Sequence, residues 1–184
     1  SIATIEATYE NVNRVLEEFK VFFTSPFLNK KNKYKTFVIS EANHPNKIQD
    51  LISLLKLNKI EFGFLSSGKS KSVKDAYEYI TGEKKTIKVS NKDICIPVNQ
   101  KLGILASVLF EPKTFLSDTL TYDITAWSLP YIYGLDAYAI ESNLKLELKD
   151  TLLFSSNKLK INKDSYGYLS KWGTINDLKF LAEI

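Results

Sequence analysis

Apolar residues Val12, Val15, Leu16, Phe19, Phe22 and Phe23 recur every three or four positions. This predicts an amphipathic helix over 9–24 with an aromatic-rich buried stripe, ended by Pro26. Tyr34 to Ile39 reads as a strand. Asn43-His44-Pro45 reads as a helix entry, with Asn43 or His44 as cap and Pro45 in the first turn. The helix that follows carries Ile48, Leu51, Ile52 and Leu55 on one face and stops near Asn58, and Ile60 to Leu65 forms a second strand. Strand, helix and strand in about thirty residues form a βαβ-like unit, which favours a parallel pair with a right-handed crossover.

Val73 to Ile80 fits two templates. Val73, Ala76, Tyr77 and Ile80 have helical spacing, whereas Val73, Asp75, Tyr77 and Tyr79 alternate as in a strand. Aromatic and β-branched content favours the strand. Thr86–Val89 and Ile94–Val98 are split by Ser90-Asn91-Lys92-Asp93, a hairpin-like turn. Lys101 to Phe110 reads as a short helix closed by Pro112. A helix from Ser128 is expected to continue through Leu135 to Ile140. After Asn143, Leu144–Phe154 and Lys158–Ile161 alternate as β structure, Tyr166–Leu169 reads as a strand, and a helix starts after Thr174 as cap. The pattern predicts an α/β fold: a mixed sheet with a βαβ-like unit and flanking helices. Residues 1–143 would form one α/β domain, and 144–184 a β-rich extension ending in the strand–helix start of a following domain.

Composition narrows the class. The chain has 184 residues, 44% hydrophobic and 25% charged, which suits one ordinary domain or a domain with part of a neighbour. No window of about eighteen apolar residues suggests a membrane span, and no basic-then-apolar leader opens the chain. The first residue is Ser1 and the chain holds no Met, as expected of an internal segment. The net charge of +4 comes from lysines spread along the whole length, with Arg14 the single arginine. Nucleic-acid binders cluster Arg and Lys on one face, so no nucleic-acid partner is expected.

Candidate chemistry is sparse. His44 is the single imidazole and suits a capping or surface role; Cys95 lies in the apolar run Ile94-Cys95-Ile96-Pro97 and suits a buried structural thiol. Gly63-Phe64-Leu65-Ser66-Ser67-Gly68-Lys69-Ser70 matches the GxxxxGK[ST] phosphate-loop pattern literally. Phe64 and Leu65 belong to the strand, however, and no strong helix follows whose N-terminus would hold a phosphate.

The densest aromatic run is Tyr122-Asp123-Ile124-Thr125-Ala126-Trp127-Ser128-Leu129-Pro130-Tyr131-Ile132-Tyr133-Gly134. It has two readings. Trp127, Tyr131 and Tyr133 can fill a core with their polar tips bonded at its edge. Alternatively Tyr122, Trp127, Tyr131, Tyr133 and Tyr138 form a stacking platform for glycan or peptide, with Asp118 and Asp123 as acceptors. Together with the upstream Leu109-Phe110-Glu111-Pro112 and Leu116-Ser117-Asp118-Thr119, and with the opening Ala3 to Asn11, this run resembles a segment of large bacterial secreted proteins of the zinc carboxypeptidase (carboxypeptidase A-like) family. The similarity covers roughly residues 1–140. Tyr166-Gly167-Tyr168-Leu169 and Trp172 look like the entry to a glutamine amidotransferase-like domain.

The resemblance implies a periplasmic or extracellular accessory domain downstream of a peptidase domain, non-catalytic by itself, with neighbouring domains of the same chain as partners. Zinc would belong to the parent's peptidase domain. That site needs two His and one Glu, the first His three residues before the Glu. Here His44 stands alone and position 47 is Lys, so no catalytic residue, metal ligand or cofactor is expected in this segment.

Overall fold

A computed structural model describes residues 2–28, 32–113, 127–149, 166–167, 169, 173 and 175–183. Its centre is the strand β1 (Thr36–Ile39), all four residues of which are buried. Side chains alternate across the sheet, so Phe37 and Ile39 enter one core cluster and Val38 the other. Burial on both faces explains why the sequence of β1 is a continuous apolar run rather than an alternating one. Helix α3 (Pro45–Leu57) follows, then β2 (Phe62–Leu65), β3 (Lys71–Glu78), β4 (Lys84–Val89), β5 (Ile94–Pro97), α4 (Gly103–Phe110), α5 (Leu129–Tyr133), β6 (Ala137–Ile140) and β7 (Leu146–Lys149). Among the described residues seven strands form one sheet in the order β4-β3-β6-β1-β5-β2-β7.

The fold is α/β as the pattern predicts, but every strand pairing is antiparallel. β1 and β2 run the same way without touching, because β5 lies between them and pairs with both. The βαβ unit is therefore split rather than a parallel pair. Nor do β4 and β5 form a hairpin: β4 is an edge strand and β5 is central. The turn between them is held by Asp93, whose carboxylate accepts from Ser90 N at 2.7 Å and from Glu41 N at 2.9 Å. It thus joins β4 to the loop after β1 instead of closing a ladder. The true hairpin is β3–β4. Its register shifts between Val73 and Ala76, where Asp75 adopts φ +55°. This bulge places Val73 and Ala76 together in the second cluster while Tyr77 and Tyr79 enter the first. The helix-like spacing of Val73, Ala76 and Tyr77 is the imprint of the bulge.

α3 buries Ile48, Leu51, Ile52 and Leu55, the face read from the pattern. His44 caps it, its Nδ1 accepting from Asn46 N at 3.3 Å. At the other end Lys59 takes φ +54°, with Lys59 N bonding Lys56 O and Ile60 N bonding Leu55 O, both at 2.9 Å. This is a Schellman closure with lysine where glycine is usual, and Leu55 and Ile60 are both buried beside it.

The phosphate-loop match has a structural explanation. Gly63 lies inside β2 opposite Leu148 of β7, and a Cβ there would meet Glu147 O at 2.3 Å. Gly68 supplies φ +63° in the turn that leads into β3, a strand and not a helix. Both glycines serve strand geometry. Cys95 is fully buried in β5, and burial pushes its thiol up to about 12.

Several expectations need correction. The N-terminal helical run starts at Ile2, as α1 (Ile2–Glu10) and α2 (Val12–Leu28), and continues through Pro26. Asn11 N bonds Ala7 O and Val15 N bonds Asn11 O, so helical bonding bridges the two. Its stripe is not buried: Val12, Val15, Leu16, Phe19 and Phe22 are exposed, although α2 packs against α4. Leu135 to Ile140 does not prolong α5. Gly134 ends that helix in the left-handed region, and the chain re-enters the sheet as β6. β7 pairs with β2, so residues up to Lys149 join the same sheet. Tyr166, Gly167 and Leu169 lie outside any strand, whereas a helix, α6 (Ile175–Glu183), does follow position 174. Residues 150–165 and Thr174 lie outside the described residues.

Candidate binding surface

α5 is five residues long, and its sequence sets which side chains face out. Pro130 fits the first turn, where its missing N–H costs nothing, and Gly134 terminates the helix with its N–H on Pro130 O and Tyr131 O. Leu129 and Pro130 are buried, which turns Tyr131 and Ile132 outward. Trp127, just before the helix, is 62% exposed, and Tyr131 is 39% exposed. Tyr133 is half-buried against the first core cluster. The packing reading, with all three aromatics in the core, therefore fails for Trp127 and holds in part for Tyr133. Tyr138, on β6, belongs to the opposite face, where Lys85 Nζ sits 5.3 Å from its ring centroid. Asp118, Tyr122 and Asp123 lie outside the described residues.

Tyr131 is the outer member of a tyrosine chain. Its ring meets Tyr79 edge-on at 5.3 Å, and its hydroxyl lies 3.4 Å from that of Tyr77. Tyr77 in turn packs on Tyr79 at 5.9 Å and on Tyr34 at 6.2 Å. Edge-on and tilted contacts of this kind are the preferred aromatic geometries. The small residue Ala139, paired with Tyr77 across β3–β6, leaves room for these rings. Tyr79 is deepest: its hydroxyl donates to Phe110 O, and burial pushes the phenol far above its usual range. Burial also raises Tyr131 and Tyr34, each helped by the nearby Tyr77. These phenols therefore act as neutral donors and acceptors, not as bases.

Tyr34 opens into a pocket of about 200 Å³ lined by Asn32, Lys33, Phe37, Ser107, Val108 and Glu111 among others. Lys33 Nζ lies 5.3 Å from the Tyr34 ring centroid. Partial burial raises the Glu111 carboxyl. The pocket thus offers one cation, one carboxylate, an amide and a hydroxyl beside an aromatic wall. It is a polar niche for part of a ligand, and its Tyr34 wall is linked to Tyr131 of α5 through contacts with the buried Tyr77.

Sequence reasoning missed Tyr34, Lys33 and Glu111. They come from the start of β1 and the end of α4, and only the sheet order brings them near α5. Glu111 was visible within Leu109-Phe110-Glu111-Pro112, but nothing in that run pairs it with Lys33. Among the described residues no three His, Cys, Asp or Glu side chains gather as a metal site. No helix among them is long and apolar enough to cross a membrane. Comparisons with family models, curated proteins and solved structures return no match to this chain.

Proposed function

We propose that this chain is a non-catalytic binding module, in which the Tyr34 pocket and the exposed Trp127–Tyr131 face take up a peptide segment. The observation that carries the reading is the exposed Tyr131, linked through Tyr77 to Tyr34 of a pocket lined by both Lys33 and Glu111, with the exposed Trp127 just before the same helix. An exposed aromatic next to opposed charges fits a zwitterionic, hydrogen-bonding chain, and flat aromatic walls lose little entropy on contact. A glycan is the second ligand class, favoured by the same flat rings. Following the resemblance to zinc carboxypeptidases, the module would be an accessory domain of an exported protein, holding peptide close to a neighbouring peptidase domain.

The test is tryptophan emission with acrylamide quenching, before and after addition of peptide and glycan mixtures. Trp127 and Trp172 are the two tryptophans, and Trp→Phe variants assign each signal. Peptide should shift and protect Trp127, and Tyr34→Ala or Glu111→Ala should weaken the shift about tenfold or more while circular dichroism stays unchanged. A response to glycan alone would transfer the site to the second class and remove the peptide-presenting role. No response to either would sink the binding-module reading.

A further inference from the structure

Along α1 and α2, Ile2, Ile5, Tyr9, Val12, Leu16, Phe19 and Phe23 succeed one another at alternating steps of three and four. That is the a/d spacing of a coiled-coil seam, sustained over three heptads. The seam is open. Ile2, Ile5 and Tyr9 are more than 70% exposed, Phe19 is 63% exposed, and Val12 and Leu16 are about half exposed. With Val15 and Phe22 beside them, eight large apolar side chains stand exposed along the arm.

We propose that this helical arm pairs with the same arm of a second copy, antiparallel, to make a homodimer. The seam permits it layer by layer. With the two-fold axis near the middle of the arm, Ile5 meets the partner's Phe23, Tyr9 meets the partner's Phe19 and Val12 meets the partner's Leu16. Two layers set a larger side chain against a smaller one, and the third pairs the aromatic rings of Tyr9 and Phe19. Charge selects the direction. One flank of the seam carries Glu6, Asn13 and Lys20 at seven-residue intervals. In the antiparallel pair Glu6 faces the partner's Lys20, twice by symmetry, and Asn13 faces its own copy. A parallel pair would set Asn13 and Lys20 against Thr8 and Val15 and form no ion pair along this flank. It would also crowd both sheets at one end, whereas antiparallel arms about 40 Å long keep them apart.

Other occupants fit less well. Four acids (Glu6, Glu10, Glu17 and Glu18) outnumber Arg14 and Lys20 on the arm, whereas helices that lie on membranes carry a basic polar face. α6 has nine residues, about 14 Å, and cannot cover the seam.

Sedimentation equilibrium of the 184-residue chain tests the proposal against its protomer mass of 21.0 kDa. The expected species at tens of micromolar is a dimer. Glu6→Lys or Lys20→Glu alone should raise its dissociation constant about five- to thirtyfold, and the double reversal should bring it back close to wild type. Leu16→Lys with Phe19→Lys should give a monomer of unchanged helicity, since these side chains already face solvent. A monomeric wild type overturns the proposal, and vesicle binding by that monomer would assign the arm to a membrane. A dimer indifferent to the single reversals, or not rescued by the double one, overturns the antiparallel pairing.

Discussion

Replacing Gly63 by alanine tests the closest backbone approach in the sheet. A Cβ at this position would stand 2.3 Å from Glu147 O, 2.8 Å from Glu147 C and 2.9 Å from Leu148 Cα, all main-chain atoms of β7. No side-chain rotation relieves such contacts, because real Cβ atoms essentially never come within 3.0 Å of other heavy atoms. β7 must retreat by most of an ångström, which stretches a normal ladder bond of about 2.9 Å past its useful range. Overpacking of this kind costs about 1–3 kcal/mol. Against it, the alanine removes freedom from the unfolded chain, worth about 0.4–1 kcal/mol. The net loss is about 1–2 kcal/mol, or a fall in Tm of about 2–8 °C for a chain of this size. Differential scanning calorimetry measures the fall, and amide exchange locates it. Glu147 to Lys149 should lose protection while Val38, at the sheet centre, keeps it. An unchanged or raised Tm with β7 still protected would show that β2 and β7 do not meet at Gly63, and the argument would fail.

Lys59→Gly should stabilise the protein by about 0.5–1 kcal/mol, read as a higher Tm, because it removes a Cβ from the left-handed closure of α3; a lower Tm would contradict the assigned geometry. Tyr79→Phe should cost about 1–2 kcal/mol by leaving Phe110 O without its donor. In wild type, absorbance at 295 nm should show the Tyr79 and Tyr131 phenols still protonated well above the ordinary tyrosine value of 10.0 until the chain unfolds, and Tyr79→Phe should remove one of them. Their raised folded pKa values give stability that is present below that value and lost as pH climbs beyond it. Glu78 is the opposite case: hydrogen bonds from Lys85 and then Thr81 hold its carboxyl below the ordinary 4.5. Its contribution is present above 4.5 and lost as pH falls through the folded pKa, so Glu78→Gln should flatten the acid side of a plot of Tm against pH. An acid limb as steep as wild type would rule out that role.

The elements that the sequence predicts well are those whose pattern is local. α3 is the clearest case, since Pro45, the His44 cap and four apolar residues all act within its own length. β1, β2 and β5 are short apolar runs bounded by turn residues, and they form as read. What the pattern cannot carry is which strand lies beside which. Ile94-Cys95-Ile96 looks equally suited to a hairpin with β4 or to a central position, and the split of β1 from β2 depends on its taking the centre. The stripe of α2 shows a second limit, because apolar spacing specifies a helix face but not what covers it. The aromatic run was legible as a feature, yet its exposure was not: Leu129 and Pro130 take the buried side of α5 and force Tyr131 outward. The Lys33–Tyr34–Glu111 niche joins residues far apart in the chain and left no local signal.

The position of β1 also bears on how the chain acquires its structure as it is made. Ile39 pairs with Ile94 on one side and with Ala137 on the other, so the innermost strand emerges long before either neighbour. Its second partner appears roughly a hundred residues later, about 5–20 s at ordinary rates of synthesis. Until β5 emerges Phe37-Val38-Ile39 has no edge to join, and its other side stays open until β6 follows. The ordering makes completion of the sheet a late event with large loops to close. A ribosome-bound chain truncated before β6 should therefore be protease-sensitive and dependent on holding chaperones, and extension past Ile140 should abolish that dependence.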